Sequence, residues 1–154
     1  MKPYPDTNFF TRLYLALPDS EEADQLMEQA KTGNVAALPV TWLHRVETVN
    51  AFQLSVFVGR MSGQTRVTVE QAAGALAAFR EDARAGAIFR AAPLGLERLE
   101  RECEELALRH TARHGFRTYD LLHVASALVL GCDTFWSFDP KASKLARLEG
   151  LKTR

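Results

Sequence analysis

The chain has 154 residues, 47% hydrophobic and 25% charged, with 19 Lys and Arg balancing 19 Asp and Glu for a formal net charge of zero. That length suits one compact domain over residues 1–154, the composition excludes a disordered chain, and the balanced charge excludes a globally cationic nucleic-acid binder. Cys103 and Cys132 form no CxxC or Cys/His cluster, which excludes a disulfide framework or a zinc site.

Short β-branched or aromatic runs alternate with amphipathic segments, the pattern of an α/β domain with a mostly parallel sheet flanked by helices. A brief first strand over Lys2–Pro5 leads to a helix over about Phe9–Leu15. A second helix starts at Asp19 or Ser20, where Asp19 and Glu22 have capping-box spacing, buries Ala23, Leu26, Met27 and Ala30, and stops at Gly33. Val35–Pro39 is the second strand. Thr41 caps the next helix, which runs to about Val58 with Leu43, Val46, Asn50, Leu54 and Phe57 along its inner face and Glu47 within it.

Gly59–Thr65 reads as a loop. Thr68 and Gln71 have capping-box spacing for a helix that buries Val69, Ala72, Leu76, Phe79 and Ala83 and ends at Gly86. Ala87–Ala91 is the third strand. A charged helix over about Leu96–Arg113 stops before Gly115, and Thr118 caps the apolar helix Asp120–Leu130. The fourth strand is Thr134–Phe138. Asp139-Pro140 pairs an N-cap with proline at the first helical position of a last helix, which ends near Leu148, before a short fifth strand in Gly150–Thr153.

No apolar run is long enough to span a membrane, since Leu121–Cys132 is broken by His123 and Ser126. Met1-Lys2-Pro3 leads directly into an acidic turn with no secretory signal, so the expected compartment is the cytoplasm.

Ligands of open α/β sheets bind beyond the carboxyl ends of the strands. Asp6 and Asp139 fall at such ends, Asp120 sits in the first turn of a helix antiparallel to the next strand, and Glu47 interrupts an otherwise apolar face. Four carboxylates at one sheet edge point to a metal site. Each also has a plainer explanation. Asp6, Asp120 and Asp139 suit helix N-termini, and Glu47 can pair with His44 or an arginine. His123 reads as a packed or hydrogen-bonded helix residue, and His44, His110 and His114 as surface residues, so none of the four is assigned to catalysis.

The order and spacing of these acids resemble the PIN-domain nucleases. Arg117-Thr118-Tyr119-Asp120-Leu121-Leu122-His123-Val124-Ala125 looks like the family's Arg-x-x-Asp-x-x-His-x-Ala helix. Asp6-Thr7-Asn8 looks like its opening motif, Glu47 like its helical glutamate, and Ser137-Phe138-Asp139 like its closing Thr/Ser-x-Asp strand. The length is that of single-domain VapC-like toxins. The resemblance implies a five-stranded, mostly parallel sheet and a Mg²⁺- or Mn²⁺-dependent endoribonuclease, restrained in the toxin branch of type II toxin–antitoxin systems by a cognate antitoxin and expected to form a homodimer.

Asp6 and Asp120 are then the direct ligand candidates, with Glu47 and Asp139 holding water around the ion or a second ion. Thr7, Asn8 and Ser137 would orient carboxylates or a phosphate oxygen. Arg12, Arg113, Arg117, Lys141 and Lys144 lie in segments suited to contacting RNA phosphates. The competing functions are a non-catalytic PIN-fold module that binds RNA or protein, for which clustered carboxylates have no use, and another α/β phosphotransfer enzyme, for which no glycine-rich phosphate loop is present. Pro3 and Pro5 depart from the family pattern in a strand that lies mid-sheet. Their i, i+2 spacing turns both missing donors toward one neighbour, so one pairing weakens while the other survives.

Overall fold

The computed structural model describes residues 1–33, 35–62 and 67–154. In chain order the elements are β1 (Pro3–Pro5), α1 (Thr7–Tyr14), α2 (Ser20–Thr32), β2 (Leu38–Val40), α3 (Trp42–Met61), α4 (Val69–Ala85), β3 (Phe89–Ala91) and α5 (Leu96–Leu106). A π-helical turn (Ala107–Thr111) joins α5 to α6 (Ala112–His114), followed by α7 (Thr118–Val129), β4 (Thr134–Trp136), α8 (Pro140–Leu148) and β5 (Lys152–Thr153).

All strand pairs are parallel. Successive residues of β4 point to opposite faces, and each face has its own core. Phe135 stacks on Tyr4, 5.8 Å between centroids, and packs with Leu99, Leu106, Val124 and Leu145 from α5, α7 and α8. Trp136 faces the other way, into Phe9, Phe10, Leu26 and Phe79 from α1, α2 and α4. Among the described residues no helix is long and apolar enough to cross a membrane.

Among the described residues the expected five-stranded sheet is not formed. The strands make a three-stranded sheet in the order β1-β4-β5 and a two-stranded sheet β2-β3, and the backbone alternation explains the break. Asp133 N–H donates to Lys2 C=O at 3.0 Å and Asp6 N–H to Trp136 C=O at 2.9 Å, so the even positions of β1 face β4. Pro3 and Pro5 must therefore face β2. On β2, Leu38 N–H donates to Ile88 C=O at 2.8 Å and Val40 C=O accepts from Ala92 N–H at 3.0 Å, so these residues face β3 and Pro39 faces β1. Prolines thus stand on both sides of the seam, where no ladder can be built without their N–H groups.

Other departures have equally local causes. The inner face of α3 carries Leu43, His44, Thr48, Phe52, Val56 and Gly59, whereas Val46, Asn50, Leu54 and Phe57 are exposed. The face expected from apolar residues alone is thus rotated, because polar His44 and Thr48 point inward. Asp19 makes no capping bond and sits at φ 68°. Ser20 Oγ instead accepts from Leu17 N–H at 3.0 Å and lies 2.7 Å from Arg12 C=O and 2.8 Å from Leu15 C=O, which ties down the start of α2. The loop expected over Gly59–Thr65 begins only after Met61, and residues 63–66 lie outside the described residues. The expected helix Leu96–Arg113 runs through a π-helical turn that lets Arg109 and His110 both reach Glu149 beyond α8, at 2.9 and 2.5 Å.

Candidate active site

Asp6 leaves β1 as the N-cap of α1. Its Oδ1 accepts from Asn8 N–H at 2.9 Å and Phe9 N–H at 3.2 Å, and its Oδ2 from Asn8 Nδ2 at 2.9 Å and Ser137 Oγ at 2.5 Å. Asn8 is fixed in turn, its Nδ2 donating to Ser137 Oγ at 3.2 Å and its Oδ1 accepting from Phe138 N–H at 2.7 Å. The carboxyl is buried. Desolvation raises its pKa to about 6, even though the nearby His123 and the bonds from Ser137 and Phe9 favour the charged form, while Glu47 adds a smaller upward push.

Glu47 reaches the same place from α3. Its Oε2 accepts from Thr7 Oγ at 2.5 Å and from His123 Nε2. Partial burial works to raise its pKa, but the His123 and Thr7 bonds outweigh that and hold the carboxyl below the usual glutamate range. His123 is buried on α7 and its Nδ1 lies 3.0 Å from Tyr4 Oη. Burial pushes the Tyr4 phenol upward, so it stays an O–H donor. Assigning its proton toward Nδ1 leaves Nε2–H for Glu47, a continuous chain from the core to the acid.

Asp120 and Asp139 serve their helices while facing the same space. Asp120 Oδ2 accepts from Arg117 N–H at 2.9 Å. This is half of a capping box, since a guanidinium has no acceptor to return. The cap position of α7 is Arg117, one residue before the expected Thr118. Asp139 Oδ1 accepts from Lys141 and Ala142 N–H at 2.7 and 3.3 Å. Asp6, Glu47, Asp120 and Asp139 line one cavity of about 320 Å³ together with Thr7, Asn8, Arg117 and His123.

The cations divide. Arg117 is at the cavity wall. Lys141 Nζ donates to Gly115 C=O at 3.3 Å and Lys144 Nζ lies 3.2 Å from His114 Nδ1, which fastens α8 to the segment carrying Arg113. Arg12 is turned elsewhere, donating to Asn8 C=O at 3.3 Å and lying 5.0 Å over the Phe138 ring. It lines a neighbouring, more apolar cavity of about 560 Å³ with Leu17, Leu54, Val58 and Val67.

The chemistry of the donor set suits a hard divalent ion. Glu47 Oε1, Asp120 Oδ1 and Asp139 Oδ2 have no hydrogen-bond partner among the described residues, and oxygen donors are what Mg²⁺ and Mn²⁺ take. Among the described residues, however, no three Asp, Glu, His or Cys side chains are disposed around a common ion position. The acids share a cavity and do not close a ligand cage.

Sequence reasoning placed His44 on the surface, whereas it is fully buried beside this site. Its position one turn before Glu47 was the available signal. His123, read from the sequence as a packed or hydrogen-bonded helix residue, is buried and bonded to Tyr4 and Glu47.

A parallel α/β domain with carboxylates gathered beyond its strand ends defines a compact acidic-site fold. The sequence profile of the PIN domain matches residues 4–148, and the chain belongs to the PIN domain family. PIN domains are in general nucleases. No curated protein matches the sequence. Among solved structures, the chain is similar in fold to VapBC2 from Rickettsia felis, determined bound to a DNA fragment from its promoter, at 17% identity and TM-score 0.65 over 100% of this chain and 98% of that one. It is also similar to VapBC-1 from nontypeable Haemophilus influenzae, at 16% identity and TM-score 0.62 over 100% and 97%.

Proposed function

We propose that the protein is a metal-dependent endoribonuclease that hydrolyses RNA phosphodiester bonds and acts as the VapC-like toxin of a type II toxin–antitoxin pair. The observation that carries this is the gathering of Asp6, Glu47, Asp120 and Asp139 on one cavity with Arg117 at its wall. Membership of the PIN family and the VapBC neighbours support it.

Asp6, Glu47, Asp120 and Asp139 would hold Mg²⁺ or Mn²⁺, partly through water. When bound, such an ion lowers the pKa of an attacking water and offsets charge on the phosphate and leaving oxygen. The chain's own groups set the stage: Ser137 and Asn8 aim Asp6, while Thr7 and His123 hold Glu47 anionic. Arg117, with Arg113, Lys141 and Lys144 beyond it, positions the phosphate backbone. Arg12 is left out of that role by its contacts with Asn8 and Phe138.

The partner half of the proposal rests on a separate observation. Val46, Leu54, Phe57, Val58 and Met61 are exposed along α3, an apolar strip of the kind that marks a protein interface. We assign it to the antitoxin or to a second copy in a homodimer. The nuclease half is tested by incubating RNA with the protein with and without Mn²⁺, beside Asp6→Asn. Cleavage that needs both the metal and Asp6 supports it, and cleavage indifferent to either removes it.

A further inference from the structure

We propose that His44 is a positioning residue that sets Asp6 against Glu47, a role that rests on the nuclease assignment above. The imidazole is enclosed by Tyr4, Phe10 and His123, with ring centroids 4.8, 5.2 and 5.3 Å away. Buried this way, its two nitrogens must find protein partners. Pro5 C=O lies 2.8 Å from Nε2, and a carbonyl only accepts, so Nε2 carries the hydrogen. Nδ1 is then a bare acceptor and takes the Thr41 N–H at 3.0 Å. Burial, aided by His123, holds this imidazole well below its ordinary pKa, in keeping with a neutral ring.

The ring therefore joins an N–H just after β2 to a C=O of β1, across the seam that prolines left without a ladder. It is a side-chain splice in place of a backbone bond. Glu47 follows one turn later on α3 and accepts from Thr7 Oγ at 2.5 Å. Pro5 and Thr7 flank Asp6, so two bonds to one helix, one from each side, fix the residue between them. Carboxylates that share an ion must be placed to within about half an ångström. The splice supplies that registration at the carboxyl end of the seam, whereas the backbone bond from Ala36 N–H to Met1 C=O, 3.3 Å, lies at its opposite end.

The test compares wild type, His44→Ala and His44→Gln in Mn²⁺-dependent cleavage of one RNA oligonucleotide. His44→Ala should lose about 10- to 100-fold in turnover with KM moved less than about twofold, and His44→Gln, whose amide can still reach Pro5, should recover most of the loss. Leu99→Ala, a core truncation on α5, controls for destabilisation. Equal losses in His44→Ala and Leu99→Ala at matched melting temperature, or a glutamine no better than alanine, would overturn the proposal.

Imidazole nitrogen NMR of the wild type decides the splice even where His44→Ala does not fold. A neutral ring protonated on Nε2 is expected, and an Nδ1-protonated or charged ring overturns it. If the wild type cleaves no RNA, the nuclease assignment fails on its own. The spectrum then still judges the splice, and the Mn²⁺-induced melting shift judges whether His44 places Asp6: it should be kept in His44→Gln and diminished in His44→Leu, which fills the site without either bond, and an undiminished shift in His44→Leu counts against the proposal.

Discussion

Thr7 donates a hydrogen bond from its hydroxyl to the Glu47 carboxylate across 2.5 Å, tying the first turn of α1 to α3. This bond joins residues far apart in sequence and keeps an acid anionic at the edge of the core. Glu47→Gln should therefore keep the fold, because the amide oxygen still accepts from Thr7 and His123, at a stability cost of about 1–2 kcal/mol for the weakened charge-assisted bonds. RNA cleavage should fall by about 10- to 100-fold or more. Circular dichroism beside the cleavage assay checks both, and a folded, fully active variant would return Glu47 to a purely structural role.

Asp6 and Glu47 should leave opposite marks on the pH dependence of stability. The folded pKa of Asp6 is raised from 3.8 to about 6. Its stabilising contribution is fully present below about pH 4 and is lost as pH rises through 6, on the order of 3 kcal/mol in all. Glu47 is depressed from 4.5, so its contribution is present above that value and lost as pH falls through the folded pKa. Urea unfolding of metal-free wild type and Asp6→Asn from pH 4 to 7.5 isolates the first effect. The variant should gain on the wild type across pH 4–6, and parallel curves would refute the raised pKa. Saturating Mn²⁺ should remove most of the wild type's loss, since an ion favours the ionised acid.

Much of this was legible in the sequence because local chemistry dictated it. The Thr41, Thr68 and Asp139 caps follow from side-chain acceptors ahead of helical periods, and Asp6, Glu47, Asp120 and Asp139 stood out together because the expected elements bring them to one sheet edge in an order that resembles the PIN-domain motifs. The i, i+2 spacing of Pro3 and Pro5 foretold that one pairing of β1 would weaken while the other survived, and among the described residues β1 pairs with β4 alone. Its full consequence was hidden, because Pro39 faces the same seam from a strand whose register only the fold defines. His44 was missed for a related reason. Its spacing from Glu47 marks a shared helix face, but that face reads as inward only once the partners of the imidazole, Thr41 N–H and Pro5 C=O, are brought to it.

The cationic rim should be separable from the acids by salt. Arg117→Ala removes a cavity-wall cation and should weaken RNA binding while lowering the slope of log K against log salt by about 0.7, as loss of one single-strand phosphate contact requires. Lys144→Ala should behave likewise. Arg12→Ala should leave the slope unchanged, since its guanidinium lies 3.6 Å from the Asp19 carboxylate, which offsets its charge, and lines the neighbouring cavity. Anisotropy titrations at several salt concentrations read all three, and a slope changed by Arg12 alone would put the track on the wrong side of the cavity.

The most direct measurement of the central claim is single-turnover cleavage of a labelled RNA by wild type and Asp120→Asn in Mn²⁺, with binding of the same RNA measured in parallel. Asp120 faces the cavity with one oxygen engaged by Arg117 N–H. Its loss should abolish turnover while RNA binding is kept, or tightened by the removal of a negative charge. Normal cleavage by Asp120→Asn, or a wild type that neither cleaves nor binds RNA with Mn²⁺, would contradict the assignment of this cavity as a nuclease site.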